Sequence, residues 1–195
     1  MATRDKGPSP RERLLAAADE LFYDEGIHTV GIDRIIEKAG VAKGSLYYNF
    51  DGKDDLVREY LAGRHARWAA RIEAATGAVD DPHAKVLAVF EELGRIFREP
   101  DYRGCAFSRA IAEAQPDSAE VKEAASYRNW VHGLFARLAD ELGAAEPSAL
   151  AEHLVVLYDG ARMSFQMDRD AKAAELARDM AARLMDAARP VSAAR

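Results

Sequence analysis

Apolar residues recur at three- and four-residue intervals along nearly all of this 195-residue chain. Near its start, Leu14, Ala18 and Leu21 share one face of a helix. The Ser-Pro-Arg-Glu sequence beginning at Ser9 is typical of a capping box with proline in the first turn. No segment alternates apolar and polar residues as a half-buried strand does. The sequence therefore predicts an all-α chain of about nine helices, with three small ones first and longer ones after.

Composition is that of a globular protein with a sizeable core, since 49% of the residues are hydrophobic and 31% are charged. No run of about 18 apolar residues occurs, so we expect no membrane span. The N-terminus is polar and lacks the apolar segment of a secretion signal. Cys105 is the only cysteine, so no internal disulfide can form, which fits a reducing compartment. Together these features predict a cytoplasmic protein.

The net charge of −6 is unevenly spread along the chain. Residues 1–53 carry eight Lys/Arg and nine Asp/Glu, so this quarter is nearly neutral while the remainder is acidic. An acidic total neither requires nor excludes a polyanionic partner, because binding depends on whether cations cluster on one face. Charge alone therefore leaves nucleic-acid binding open.

A helix-turn-helix is predicted between residues 32 and 49. Two short helices flank Gly40, and near the end of the second Leu46 and Phe50 lie four residues apart, so both point inward. Lys43 and the two adjacent tyrosines are left on the outside. Short helices joined by a glycine turn also occur in bundles that bind no DNA, and paired tyrosines are commonly half-buried packing groups. The spacing by itself keeps both interpretations open.

A longer segment around these helices, from Gly26 to Leu56, reads GIHTVGIDRIIEKAGVAKGSLYYNFDGKDDL. It closely resembles the helix-turn-helix signature of TetR/AcrR-type transcriptional repressors, with an Ile-Ile-x-x-Ala-Gly-Val core and a Lys-Gly-Ser-Leu-Tyr-Tyr recognition helix. The resemblance implies an N-terminal arm and DNA-binding domain over residues 1–52. A ligand-binding and dimerisation domain over residues 53–195 would follow, and double-stranded operator DNA would be the partner.

Seven residues match positions that contact DNA in this family, and Arg34 is expected to add a contact to the DNA backbone. Lys43 can donate to guanine, Gly44 lets the backbone approach the base edges, and Lys53 offers a phosphate both a charge and a helix N-terminus. The expected DNA-contacting residues are Arg34, Lys43, Gly44, Ser45, Tyr47, Tyr48, Asn49 and Lys53.

The segment departs from the family pattern at one position. Many members have Ser or Thr where Gly31 stands, so here the phosphate contact falls to the Gly31 backbone N–H or to nearby Thr29. The arm residues Arg4, Lys6 and Arg11 would add contacts to the DNA backbone.

Aromatic and polar-tipped residues are concentrated in the middle of the larger domain. They can line a mostly apolar cavity for a hydrophobic or aromatic effector, or they can simply pack a core. The candidate ligand-binding residues are Trp68, Phe90, Phe97, Cys105, Phe107, Tyr127, Trp130 and His132.

Cys105 belongs to the segment RGCAFSRAIAEAQ, which resembles a Gly-Cys segment common in one broad TetR branch. Arg103 and a helix N-terminus would favour its thiolate and make it a redox sensor. A buried cysteine that only packs is the other interpretation.

The last two predicted helices carry broad apolar stripes, which either cover their own core or form a two-fold dimer interface as in TetR-like proteins. A dimer would predict a palindromic operator, its half-sites spaced by the two recognition helices. The candidate interface residues are Leu150, Leu154, Leu157, Tyr158, Ala161, Phe165, Leu176, Met180 and Leu184.

Enzymatic and metal-binding motifs are absent from the sequence. No two of the five histidines stand three or four residues apart, and no Cys-x-x-Cys or glycine-rich phosphate loop occurs. We therefore predict no catalytic residues, no metal and no cofactor. A ligand-responsive repressor is favoured. The alternative is a DNA-binding regulator without a small-molecule effector, controlled by a protein partner or by oxidation of Cys105.

Overall fold

The computed structural model describes residues 7–112 and 114–188, and within them the secondary structure consists of nine helices and no strand. The predicted all-α fold is confirmed. The helices are α1 (Pro10–Glu25), α2 (Ile32–Ala39), α3 (Lys43–Asn49), α4 (Lys53–Gly77), α5 (Pro82–Phe97), α6 (Ala106–Ile111), α7 (Ala119–Leu142), α8 (Pro147–Asp168) and α9 (Lys172–Ala187).

Side-chain caps fix where two of these helices begin. At α1 the Glu12 N–H donates to Ser9 Oγ at 3.3 Å, and the Ser9 N–H donates to the Glu12 carboxylate at 2.7 Å. At α5 the Ala84 N–H donates to the Asp81 carboxylate at 2.8 Å. These bonds satisfy N–H groups that have no partner inside the helix. The capping box predicted at Ser9 is confirmed.

The start of α7 differs from its prediction. Asp117 and Glu120 have the spacing of a capping box, which predicts Asp117 as the N-cap of α7, but Asp117 has a φ of 63° and lies in the turn before the helix. The Val121 N–H donates instead to Ser118 Oγ at 3.4 Å. The predicted cap at Asp117 is therefore wrong by one residue, because a left-handed turn places Ser118 next to the helix.

The chain divides into two compact units. The first consists of the described residues up to His65 and of Ala106–Ala125 apart from position 113, with Leu14, Ile35 and Leu46 fully buried in its core. The second consists of Ala66–Cys105 and of residues 126–188. These units do not follow the boundary expected at residues 52 and 53, which remains a prediction about functional domains.

Small residues bring helices together in the second unit. Ala174, Ala177 and Ala181 are buried on the face of α9 that packs against α5 and α8. On α5, Gly94 approaches α9 so closely that a Cβ placed there would lie 3.4 Å from the Ala174 Cβ. The alanines of α9 therefore serve the unit's own core.

None of the helices in residues 7–112 and 114–188 has the length and hydropathy needed to cross a membrane.

Candidate functional site

Helix α3 has sharply separated faces. Leu46 and Phe50 are buried, as the sequence predicted, and Phe50 ends the helix by donating its N–H to the Leu46 carbonyl at 2.8 Å. Tyr47 and Tyr48 point the other way, with 57% and 89% of their surface exposed. Adjacent exposed aromatic side chains are typical of contact surfaces, whereas single exposed apolar residues are common on any protein surface. The outer face of α3 is therefore a candidate interface.

Helix α2 and a glycine turn hold α3 in place. Ile35 and Ile36 of α2 are buried in the core of the first unit. Gly40 ends α2 with a φ of 61°, and its N–H donates to carbonyls of the last turn of α2. Glycine adopts this left-handed conformation without the steric cost that a Cβ would bring. The two short helices thus have the arrangement of a helix-turn-helix.

The cations on this surface are paired with carboxylates. Lys43 Nζ lies 2.8 Å from Asp33 Oδ1, and Arg34 donates to the Glu25 carboxylate at 2.7 Å. The hydrogen bond that Lys43 donates to the Asp33 carboxylate raises the pKa of Lys43, so its ammonium stays charged. Exposed pairs of this kind contribute little to stability, because water and salt screen them. A DNA phosphate or a base acceptor can therefore replace the carboxylate at little cost.

The remaining predicted cations have different surroundings. Arg11 pairs with Glu59 at 2.9 Å and lies over the Phe50 ring, 5.2 Å from its centroid. Lys53 is half-buried at the first position of α4. The arm residues Arg4 and Lys6 lie outside the described residues.

Ser45 and Asn49, two polar residues predicted to face DNA, are half-buried. Asn49 donates its side-chain amide to the Ser45 carbonyl at 2.7 Å, so the amide closes the last turn of α3. Gly31 is the N-cap of α2 and makes no side-chain cap, while Thr29 is exposed beside it. The outward face of α3 is therefore carried mainly by Lys43 and the tyrosines.

A second group of polar contacts lies inside the second unit, and we call Trp68, Tyr127, Trp130, Tyr158 and Arg162 the tyrosine cluster. Trp68 donates its indole N–H to the Tyr158 hydroxyl at 2.8 Å, and the two tyrosine hydroxyl oxygens are 2.8 Å apart. Arg162 donates to both hydroxyls. Trp130 stacks on Tyr127 with ring centroids 6.0 Å apart. An indole N–H and a guanidinium thus both donate to a pair of tyrosine hydroxyls that are themselves hydrogen-bonded.

Burial controls the ionisation of this cluster. It raises the pKa of Tyr127 well above its ordinary value and also raises the pKa of Tyr158, because charged phenolates would lose their hydration. Both hydroxyls are therefore neutral. Cys105 is buried and lies within electrostatic reach of both tyrosines and of Arg162.

The other predicted ligand-binding residues have separate surroundings. Phe97 stacks on Phe165 with centroids 4.3 Å apart, and Phe90 packs in the same unit's core. Phe107 belongs to the first compact unit, and His132 is exposed. The structure therefore brings Trp68, Tyr127, Trp130 and Cys105 close together, but it does not gather all eight candidates.

Two members of the tyrosine cluster were not among the predicted ligand-binding residues. Tyr158 was assigned to the dimer interface, and Arg162 was not singled out. Their signal in the sequence was a tyrosine and an arginine four residues apart within an otherwise apolar stripe, a spacing that places both on one face of α8.

An apolar groove runs along α8 and α9. Its volume is about 670 Å³, and Val156, Leu176 and Met180 on its walls are 69%, 65% and 52% exposed. We call this surface the α8–α9 groove. Its lining consists of Val156, Leu157, Gly160, Ala161, Ser164, Asp168, Asp170, Lys172, Ala173, Leu176, Ala177 and Met180.

Several residues predicted for a dimer interface are buried inside the monomer instead. Leu150, Leu154, Tyr158 and Phe165 face the core of the second unit, because α8 is apolar on more than one side. Ala161 is also buried but borders the α8–α9 groove. Leu157 and Leu184 are half-buried. Of the nine candidates, Leu157, Leu176 and Met180 have surface in the groove to offer a partner.

No group of three or more His, Cys, Asp or Glu side chains within residues 7–112 and 114–188 could hold a metal ion.

Comparison with known proteins agrees with this geometry. Residues 14–60 match the family described as bacterial regulatory proteins, tetR family. The chain is 32% identical to the HTH-type transcriptional regulator LmrA of Bacillus subtilis over 62% of its length, which spans 66% of LmrA. It is 30% identical to the regulator TtgW of Pseudomonas putida, over 56% of this chain and 89% of TtgW.

The resemblance extends over almost the whole fold. A TetR-family transcriptional regulator from Streptomyces coelicolor superposes with a TM-score of 0.87 at 33% identity, covering 95% of this chain and 92% of that one. A helix-turn-helix with an exposed recognition face is the arrangement with which regulators of this class enter the major groove. The chain belongs to the TetR family of transcriptional regulators. Like these relatives, it is a transcriptional regulator and not an enzyme.

Proposed function

We propose that this protein is a ligand-responsive repressor. It binds a palindromic operator as a homodimer and is released by a small hydrophobic or aromatic molecule. In this proposal Arg34, Lys43, Gly44, Ser45, Tyr47, Tyr48, Asn49 and Lys53 form the DNA-binding surface.

The outer face of α3 carries the proposal of DNA binding. Tyr47 and Tyr48 are exposed above a helix that Leu46 and Phe50 anchor in the core. A helix anchored in this way can enter the major groove as a rigid element, with Lys43 at its N-terminal end near the base edges. The lysine's weak surface pair with Asp33 leaves it available to DNA.

The α8–α9 groove supports the homodimer. An exposed apolar strip with large side chains such as Leu176 and Met180 is costly in water and is typical of a protein interface. Two-fold pairing through this surface would give two recognition helices and hence two half-sites, with centres about 34–36 Å or a multiple of that apart.

The tyrosine cluster supports an internal effector site. Its aromatic rings and convergent donors are the features of a small-molecule site. An effector would act by binding more tightly to a conformation in which the recognition helices no longer match the operator, and operator DNA would weaken effector binding by the same factor. Helix α4 carries both Lys53 and Trp68. Its displacement on effector binding would therefore change the position of Lys53 as well as that of Trp68.

A gel shift with DNA from the protein's own promoter region, repeated with a metabolite panel, tests the proposal. We expect a discrete complex whose affinity falls steeply as salt rises, because phosphate contacts release counterions. At least one small molecule should dissociate it. No complex, or a complex insensitive to salt, would overturn DNA binding at this surface.

A second candidate is a regulator without a small-molecule effector. The side chains of the tyrosine cluster bond to one another, and a filled core of this kind favours control by a protein partner or by oxidation of Cys105. Peroxide would then release wild-type protein from DNA but not the Cys105→Ser variant. Equal release of both would exclude control through this thiol.

A further inference from the structure

Arg162 is a cation in the interior of the second unit that has no acidic partner among residues 7–112 and 114–188. It is half-buried, and its Nη1 donates to the hydroxyls of Tyr127 and Tyr158, at 2.9 Å in the second case. Its Nε is fully buried and makes no hydrogen bond. An N–H removed from water without an acceptor costs free energy, so the present contacts leave the guanidinium incompletely satisfied.

Neighbouring arginines of this unit are neutralised by carboxylates. Arg71 and Arg95 each lie 2.6 Å from Glu92 oxygens, and Arg128 lies 2.7 Å from Asp159. Arg162 makes no such pair with any residue that the structure describes. Removing an ion from water without a counter-ion is far more costly than burying a paired one. Unlike these three arginines, Arg162 is a cation to which the described part of the chain supplies no carboxylate.

The surrounding rings do not replace that counter-ion. The Arg162 guanidinium lies 5.3 Å from the Tyr127 ring centroid and 5.0 Å from that of Tyr158, so both rings attract it without carrying a charge. Burial keeps both hydroxyls protonated. The site therefore presents one positive charge and neutral hydrogen-bond donors, enclosed by aromatic surface.

We propose that Arg162, with the hydroxyls of Tyr127 and Tyr158, binds the carboxylate of a small aromatic acid. This inference rests on the proposed function and narrows its effector from a hydrophobic or aromatic molecule to an aromatic monoanion. A guanidinium binds a carboxylate through two parallel hydrogen bonds, which would give the Nε an acceptor. A phosphate monoester would bring about two negative charges to one cation, so the site favours a carboxylate.

The aromatic part of the acid would contact Trp68 and Trp130. Trp68 already donates to the Tyr158 hydroxyl, and Trp130 stacks on Tyr127. To admit the acid, the hydrogen bond between the two hydroxyls must open so that each can donate to the ligand. These are the only two tryptophans in the chain, so its intrinsic fluorescence reports events at this cluster.

Matched pairs of acids and amides test the proposal directly. Benzoate and benzamide, and phenylacetate and phenylacetamide, have nearly the same shape but differ in charge. Binding to the full chain is measured at pH 7.5 by isothermal titration calorimetry and by tryptophan fluorescence. We expect each acid to bind at least tenfold more tightly than its amide, because a charge-assisted bond replaces a neutral one.

Variants show whether Arg162 is the source of that preference. Arg162→Gln should bind acid and amide alike, whereas Arg162→Lys, which keeps the charge, should retain part of the preference. Arg128→Gln is the matched control, since Arg128 follows Tyr127 in α7 but is already paired with Asp159. Its preference should equal that of the wild type. Circular dichroism confirms that each variant is folded.

Three results would overturn the inference: equal binding of acid and amide by the wild type, no binding of either, or an unchanged preference in folded Arg162→Gln. The wild-type comparison needs no variant and decides the matter even if Arg162→Gln fails to fold. Operator release is measured separately by gel shift. Acids that bind without releasing DNA would leave the carboxylate site standing and refute the proposed release. Release of DNA by neutral molecules alone would leave the proposed release standing and refute the carboxylate site as the site of the effector.

Discussion

The Lys43 ammonium group lies 2.8 Å from the Asp33 carboxylate and joins the start of α3 to the start of α2 on the exposed side of the helix-turn-helix. The pair must open if Lys43 is to contact DNA. We expect Asp33→Asn to strengthen DNA binding roughly two- to fivefold. The substitution removes the surface ion pair that must open, and it also removes one negative charge near the DNA phosphates. Titration of labelled operator and of scrambled DNA measures both affinities.

Glu141→Gln is the control for this substitution, because it opens an exposed pair with Lys85 on the second unit. Its DNA affinity should equal that of the wild type. If Asp33→Asn binds DNA more weakly than the wild type, Asp33 helps to position α3 rather than restraining Lys43.

Two side chains of the proposed DNA-binding surface, the exposed Tyr47 and the half-buried Lys53, should contribute to operator affinity. Tyr47→Ala and Lys53→Ala are each expected to weaken operator binding about tenfold, the effect of losing one good contact of about 1–3 kcal/mol. Thermal unfolding should stay within a few degrees of the wild type for Tyr47→Ala. Arg137→Ala, exposed on α7, is the control. Normal operator affinity in both variants would remove α3 from the proposed interface.

A charge placed in the α8–α9 groove should separate the proposed dimer. Leu176→Glu or Met180→Glu would bury a carboxylate at the interface, and an unpaired buried charge costs several kcal/mol. Sedimentation equilibrium should show a dimer for the wild type and a monomer for both variants. Val121→Glu changes another exposed apolar residue, on α7, and should leave the mass unchanged. A dimeric Leu176→Glu protein would place the interface elsewhere.

The capping box of α1 should make stability depend on pH. Bonding to the Ser9 N–H lowers the pKa of Glu12 below its ordinary 4.5. Because its pKa is lower in the folded protein than in the unfolded chain, the ionised carboxylate stabilises the fold. This contribution is fully present above the pKa of the unfolded chain and is lost as the pH falls through the pKa of the folded protein. Glu12→Gln should therefore be less stable than the wild type at pH 7, with the difference vanishing in acid.

Urea unfolding between pH 7 and pH 3 measures that difference, with Glu37→Gln, an exposed residue of α2, as the control. A difference that grows in acid would have the wrong sign for a stabilising carboxylate. Ser9→Ala should lower the free energy of unfolding by about 1 kcal/mol throughout this pH range, whether Glu12 is protonated or ionised, because the Glu12 N–H loses its acceptor.

Gly104 should tolerate no side chain. Its φ is +103°, and a Cβ added there would lie 1.7 Å from Oε1 of Gln166. The tip of Gln166 can move, so most of the cost comes from the backbone, about 1–3 kcal/mol. We expect Gly104→Ala to lower the urea midpoint, and Gly104→Ala with Gln166→Ala to recover only part of it. Full recovery in the double variant would assign the cost to the clash alone.

Helical periodicity predicted the fold and the two faces of α3, because Leu46 and Phe50 fall on one side whatever surrounds them. The acidic partners of the surface cations could not be predicted in the same way. Asp33 is ten residues from Lys43, and Glu25 is nine from Arg34. Those contacts depend on how α1, α2 and α3 pack, which no local pattern encodes.

The apolar stripe of α8 shows a second limit of sequence patterns. A helix with apolar residues on several sides contacts both its own core and, in the proposal, a partner, and periodicity does not say which side does which. Periodicity for this reason places Tyr158 among the dimer-interface candidates, although it is buried in the second unit. The pattern gives no sign that Arg162, four residues later, lies beside it, because arginine is seldom found inside a protein.

In the proposed repressor, the pairing of Lys43 and Arg34 with carboxylates would also affect how the protein distributes itself along a chromosome. Each contact with an arbitrary phosphate requires opening an ion pair that is already formed, so the lasting hold on random sequence is weakened. At the proposed operator, base contacts by α3 would add to those phosphate contacts and offset the loss. Fewer molecules would then remain on the vastly more numerous competing sites, and fewer copies per cell would suffice to keep one promoter occupied.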